Sequence, residues 1–158
     1  LGRTTMTVAK RFRWEAAHRL PWHEGPCNNL HGHSYRMTVE LDGTPDARGM
    51  LVDFQDLKRA LAPLVDAWDH AVLVAETDDE LRGLVEQTDW KYALLPCDTT
   101  AENLADYLCE AAAALLAAHH VTAVRVRLAE TESCYAQAER RVGAADRTDA
   151  RYRSQVTG

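Results

Sequence analysis

AKRFRWEAAH (residues 9–18), followed after a loop by HSYRMTVEL (residues 33–41), is the stretch that decides the fold. In an extended chain Phe12, Trp14, Ala16 and His18 fall on one side, with Arg13 and Glu15 on the other. Tyr35, Met37, Val39 and Leu41 alternate in the same way with Arg36, Thr38 and Glu40. Two half-apolar runs of this kind predict neighbouring strands with one buried face and one wet face. Pro21, Gly25 and Pro26 break the chain between them, and Gly43-Thr44-Pro45-Asp46 supplies turn residues afterwards.

Working outward, Phe54, Leu57, Leu61, Leu64, Val65 and Trp68 recur at helical spacing behind Asp53, a suitable N-cap, and this helix ends near Asp69-His70. Residues 75–95 read as a long, mostly polar connection with one short helix around 79–86. A second long helix opens at Thr99-Thr100, where Thr99 and Glu102 fit a capping box, and carries Leu104, Leu108, Ala111 and Leu115. VTAVRVRLAE (121–130) alternates once more, with Val124, Val126 and Leu128 set against Arg125 and Arg127. SCYAQAERR (133–141) predicts a last strand. The expected class is α+β, order ββααββ: a four-stranded antiparallel sheet with two helices on one face. Residues 1–142 form one expected domain and 143–158 a polar tail. The two open edges of such a sheet invite pairing with further copies.

With 158 residues and 46% hydrophobic content the chain can bury a core, and its net charge of −6 argues against a nucleic-acid binder that neutralises phosphates. No apolar run approaches a membrane span, and LGRTTM is no secretory leader, so the expected address is cytoplasmic. Cys27, Cys97, Cys109 and Cys134 form no CxxC pair and read as free thiols. Cys97, Cys109 and Cys134 are expected to fill space, while Cys27 has more unusual neighbours.

Those neighbours are histidines. His31 and His33 form H-x-H, which on a strand puts both rings on one side about 7 Å apart. His18 continues the apolar face of the first strand, so pairing of the two strands brings three imidazoles together. Three neutral imidazoles with an open fourth position are the pattern of a catalytic zinc. Two plainer readings compete: hydrogen-bonded structural histidines, and a closed metal site with Cys27 as fourth ligand. His23, His119 and His120 lack such convergence and are expected at the surface.

FRWEAAHRLPWHEGPCNNLHGHSYRMTVEL (12–41) resembles the signature of the 6-pyruvoyltetrahydropterin synthase / 6-carboxytetrahydropterin synthase family. GMLVDFQDLK (49–58), Asp69-His70, TAEN (100–103) and Glu130-Thr131 follow in the family's order. The resemblance implies the tunnelling fold, in which such sheets assemble into barrels that stack into a hexamer, a dimer of trimers. It implies Zn2+ on His18, His31 and His33, and catalysis by Cys27, Asp69 and His70. It further implies pterin contacts from Glu130, Thr131, Thr100 and Glu102, with Glu132 as fallback for Glu130.

The implied substrate is 7,8-dihydroneopterin triphosphate. One branch converts it to a 6-carboxy product with loss of acetaldehyde and triphosphate, on the route to queuosine. The other eliminates triphosphate and stops at the 6-pyruvoyl product. A third reading is a binding homologue without catalysis. The run AAHRLP and the short loop to Cys27 look more like the bacterial carboxy-forming enzymes. An acidic chain acting on a polyanion also needs a metal ion or a local basic patch to reverse the field.

Overall fold

The computed structural model describes residues 4–117 and 120–143. In chain order the elements are β1 (Met6–His18), a 3-10 turn (Pro26–Asn28), β2 (His31–Gly43), α1 (Phe54–Trp68), β3 (Ala71–Ala75), α2 (Asp79–Glu86), β4 (Tyr92–Leu95), α3 (Ala101–Leu116), β5 (Val121–Ala129) and β6 (Tyr135–Arg141). The polar tail from 144 onward and His119 lie outside the described residues.

β1 and β2 pair antiparallel along their whole length, from Met6↔Gly43 to His18↔His31. The alternating residues do what their spacing requires: Trp14, Tyr35, Met37, Val39 and Leu41 are buried, and so are Val124, Val126 and Leu128 on β5. They form one core with Leu57, Leu61 and Trp68 of α1 and with Leu104, Leu108 and Leu116 of α3. Each such leucine contributes about 1.5–3 kcal/mol relative to leaving it in water. Phe54, expected in the same stripe, is exposed because it is the first residue of α1 and lies beyond the sheet-facing turn.

The sheet has six strands rather than four, in the order β4-β3-β1-β2-β5-β6, and the two long helices are accompanied by the short α2. It is also mixed, since β3 runs parallel to β1 and β4 parallel to β3. β4 falls at the end of the stretch read as a connection and β3 just before it, between that stretch and the first helix, and burial explains why the alternation test passed over β3. All five residues of β3, AVLVA, are buried. Leu73 packs into the main core, whereas Val72 and Val74 pack on the opposite face against Leu81 and Val85 of α2. A strand covered on both faces has no polar side to alternate with. The short helix itself falls where its sequence places it, 79–86.

Two local expectations are corrected. Thr100, not Thr99, caps α3, its hydroxyl accepting from Asn103 N at 3.2 Å. Of the three space-filling cysteines, Cys109 is buried and Cys97 half-buried, but Cys134 is exposed; all four cysteines are free thiols. No described helix is long and apolar enough to cross a membrane.

Candidate metal centre and acid–base pair

The last rung of the β1–β2 ladder is His18↔His31, and His33 stands across from Ala16. All three side chains share the parity of Trp14 and Tyr35, so they extend the covered face past the edge of the apolar core. Ring centroids are 4.7 Å apart for His18 and His31, 5.1 Å for His18 and His33, and 4.9 Å for His31 and His33. One nitrogen from each ring lies within 4.8 Å of the others.

The far side of the rings decides which nitrogen is available. His18 Nδ1 lies 2.7 Å from the Thr99 carbonyl and 3.2 Å from its hydroxyl, and His31 Nδ1 lies 2.7 Å from the Asn29 carbonyl. A carbonyl only accepts, so both Nδ1 atoms carry the proton and both Nε2 atoms keep a lone pair. His18 Nε2 and His33 Nε2 are buried without a hydrogen-bond partner. Leaving such atoms unsatisfied costs about 1–3 kcal/mol each. Burial pushes the His18 imidazolium down to about 4, against the Thr99 carbonyl and with help from His31 and His33. Burial also lowers His33. Buried His18 and half-buried His31 and His33, with their nitrogens converging, fit a divalent metal ion, which would satisfy the orphaned nitrogens of His18 and His33.

Cys27 sits half-buried in the 3-10 turn. Its thiol hydrogen-bonds to no described residue, and it is not a member of the imidazole group. The closed four-ligand arrangement with Cys27 therefore gains no support from the geometry.

Glu130 follows β5 directly, and its Oε1 stands 3.7 Å from His18 Nε2. Burial raises the Glu130 carboxyl above the usual range; His31 opposes this and Glu102 adds to it. The contact of His18 Nδ1 with Thr99, the residue before the α3 cap, brings the start of α3 to the imidazole end of the sheet. Thr100 is occupied as the cap, and exposed Thr131 reaches Ser133 Oγ at 3.5 Å. Glu132, the fallback for Glu130, instead lies 3.7 Å from Arg36.

Thr99 is the functional residue that the sequence reading assigned to a different job. It is 1% exposed, it backs His18, and its hydroxyl donates to the Arg19 carbonyl at 3.2 Å. The Arg19 guanidinium in turn grips Asp78 at 2.7 and 2.6 Å and Glu80 at 3.0 Å. Asp78 caps α2 through Leu81 N. A chain of contacts thus ties α2 to His18. The pair Thr99-Thr100 carried a signal, because only one of two adjacent threonines can cap a helix. His23, expected as a plain surface group, is half-buried and accepts from Gly25 N at 2.9 Å. His120 is exposed, as expected.

Asp69 and His70 occupy the other face of β1. The Asp69 carboxylate accepts from Glu15 N at 3.1 Å and lies 2.9 Å from His70 Nδ1. The Glu15 amide holds the Asp69 carboxyl below the usual range, with His70 and Lys91 also contributing. His70 N donates to the Glu15 carbonyl at 2.6 Å, and the residue takes φ 58°, a left-handed conformation that histidine adopts at a cost of about 1–3 kcal/mol. Its ring is 76% exposed, and the residue lines a cavity of about 370 Å³ with Glu15, Ala16, Ala17, Gly32, His33, Ser34, Ala71 and Val72. Within one chain the structure brings His18, His31, His33 and Glu130 together. Asp69 and His70 form a separate pair.

The sequence matches, over residues 7–141, the family described as 6-pyruvoyl tetrahydropterin synthase. The 6-carboxy-5,6,7,8-tetrahydropterin synthase of Haemophilus influenzae is 33% identical over 109 residues, 64% of this chain and 77% of the relative. That of Rickettsia bellii is 30% identical over 132 residues, 81% of this chain and 96% of the relative. Among solved structures, a catalytic-residue mutant of Plasmodium vivax 6-pyruvoyltetrahydropterin synthase overlays with a TM-score of 0.73 at 17% identity, covering 88% of this chain and 99% of that one. The Caenorhabditis elegans 6-pyruvoyl tetrahydropterin synthase overlays at 0.61 with 24% identity, covering 87% and 97%. These overlays establish a shared α+β fold, and the match across residues 7–141 adds the lineage. The chain belongs to the 6-pyruvoyl tetrahydropterin synthase family.

Proposed function

We propose that the chain is a zinc-dependent lyase that converts 7,8-dihydroneopterin triphosphate and one water to 6-carboxy-5,6,7,8-tetrahydropterin, releasing acetaldehyde and triphosphate. The observation that carries this reading is the set of three imidazoles with one nitrogen each within 4.8 Å of the others, two of them (His18 and His31) tied back at Nδ1 by backbone carbonyls, with Glu130 3.7 Å from His18 Nε2. The names of the Haemophilus influenzae and Rickettsia bellii relatives favour the carboxy-forming branch.

His18, His31 and His33 hold the metal through Nε2, and zinc bound there supplies Lewis acidity toward the side-chain oxygens of the pterin. The Glu130 carboxylate accepts from the N2 and N3 donors of the ring, a bidentate match for two carboxylate oxygens. Cys27, four residues before His31, takes the proton from the side-chain carbon next to the ring. His70, held by Asp69 at Nδ1, exchanges a proton at Nε2. Thr131, Thr100 and Glu102 form the rim of the pterin pocket.

The Cys27 thiol has no bond to Asp69 or His70, and the cavity that His70 opens into is bordered by His33 but not by Cys27, His18 or His31. A working site therefore combines Cys27 and the imidazoles of one copy with Asp69 and His70 of another, in a cytoplasmic homo-oligomer built as a dimer of trimers.

The test is to incubate zinc-loaded protein with 7,8-dihydroneopterin triphosphate and analyse the products by mass. A 6-carboxy pterin with acetaldehyde is the expected result. A 6-pyruvoyl product assigns the other branch, which the names of the overlaid structures suggest. Unchanged substrate with folded, zinc-loaded protein overturns the activity and leaves a pterin-binding homologue.

A further inference from the structure

The chain has a net charge of −6, yet one patch of it is strongly cationic. On the face of the sheet opposite the imidazoles, Arg13 of β1 stands directly across from Arg36 of β2. One rung along, Arg11 faces Thr38, and Thr38 faces Arg127 of β5 on its other side. With strands about 4.8 Å apart and same-face rungs about 7 Å apart, the four guanidinium groups share a patch of about 7 by 10 Å. All four arginines are exposed.

The carboxylates of this face gather at its other end, where Arg125 is bound by Glu40 and Asp42 at 2.6–3.0 Å. Inside the patch, neutralisation is thin. Arg13 and Glu15 are 3.6 Å apart, and Arg36 and Glu132 are 3.7 Å apart, all on exposed side chains. Arg127 has only neutral partners, Gln137 at 3.2 Å and the face of Tyr135 at 4.2 Å. Like charges directly opposite each other destabilise an antiparallel pair. Folding gains nothing from Arg13 facing Arg36, whereas an anion lying across both gains two guanidinium forks.

The position of the patch says which anion. Beyond the Arg13–Arg36 rung comes Glu15–Ser34, whose side chains are joined at 2.6 Å, and then Ala17–Gly32. These two rungs line the cavity that His70 opens into. The cations therefore adjoin the acid–base histidine on one continuous face.

We propose that Arg13 and Arg36, flanked by Arg11 and Arg127, bind the triphosphate group of the substrate. This rests on the function proposed above. The copy that presents His70 holds the phosphate end, while the imidazoles and Glu130 of a neighbouring copy hold the pterin end. The patch supplies the local reversal of field that an acidic chain needs, and it also receives the departing triphosphate.

The test uses the zinc-loaded full chain and the double variant R13Q/R36Q, titrated calorimetrically with inorganic triphosphate and separately with unphosphorylated neopterin. The expected result is triphosphate binding that weakens at least tenfold in the variant and falls steeply with salt, with zinc content and neopterin binding unchanged. The KM for 7,8-dihydroneopterin triphosphate rises by a similar factor. Because the substitutions relieve a like-charge contact, the variant melts no lower than the parent, and Arg127→Gln gives a second, milder reading. Equal triphosphate affinity in parent and variant overturns the proposal. Weakened triphosphate binding with an unchanged KM also overturns it, since the patch then lies off the substrate's path. Loss of zinc or neopterin binding by the parent itself sinks the proposed function instead.

Discussion

The imidazole cluster and the Asp69–His70 pair are built on the same strand, yet they differ in nearly every physical respect. Ala16 and His18 look toward the helices, and Glu15 and Ala17 look away. On the first side His18 is buried and His31 and His33 are half-buried, carbonyls brace His18 and His31 from behind, and burial disfavours the charged forms of His18 and His33. On the second side the ring is largely exposed, set on a left-handed residue, and tethered only at Nδ1. Metal ligands need dry, rigid geometry; a proton-exchanging group needs access. Opposite faces of one strand suit both demands, and under the proposed function a second copy completes the site.

The largest effect that can break this contrast is loss of the metal. His33→Ala should reduce bound zinc after dialysis to less than a tenth of the parent's, read by atomic absorption; retention of full zinc would move the metal elsewhere. His70→Ala should leave zinc in place and lower kcat by about 10²–10⁴, the usual worth of a positioned acid or base. Co-refolding His70→Ala with Cys27→Ala should then recover part of the activity, because mixed assemblies contain some intact composite sites. No recovery at any mixing ratio would return both residues to one chain.

Smaller effects sharpen the description of the first face. Thr99→Val removes the hydroxyl behind His18 and should weaken zinc retention by about 10–100-fold, with Thr99→Ser restoring it. Chelator-driven release rates measure this without reference to turnover, and an unchanged rate would reduce Thr99 to a packing residue. Asp78→Asn, at the far end of the same chain of contacts, should cost about 1–3 kcal/mol near neutral pH. Arg19 holds the native Asp78 carboxyl below its ordinary value of 3.8. Its stabilisation is therefore present above 3.8 and lost as pH falls through the depressed native value. Melting curves of parent and variant should stay separated from pH 7 to 5 and converge under stronger acid; a separation that persists there would give the interaction to packing rather than charge.

What could be read from the sequence follows the same division between one-sided and two-sided burial. β1, β2, β5 and β6 announce themselves by alternation, and Asp53 and the leucine spacing announce α1. His18, His31 and His33 converge because pairing and parity are local rules. β3 escaped because AVLVA has core on both sides, and β4 is four residues long. The role of Thr99 escaped because its partner His18 is 81 residues away. The opposition of Arg13 and Arg36 needed the register of the ladder, which no single strand reveals.

The ladder has one more consequence, for how such proteins diversify. His18 and His31 are neighbours because they close the last rung, not because of the segment between them. Doubling the length of a flexible segment adds only about 0.6 kcal/mol of closure entropy. The stretch bearing Cys27 can thus be lengthened, shortened or exchanged over evolutionary time while both rings keep their places, provided a carbonyl at the position of Asn29 still braces His31. Ligand geometry is written into strand register, and the reach of the thiol is written into a replaceable cassette, so new chemistry at this centre can be acquired by editing one loop.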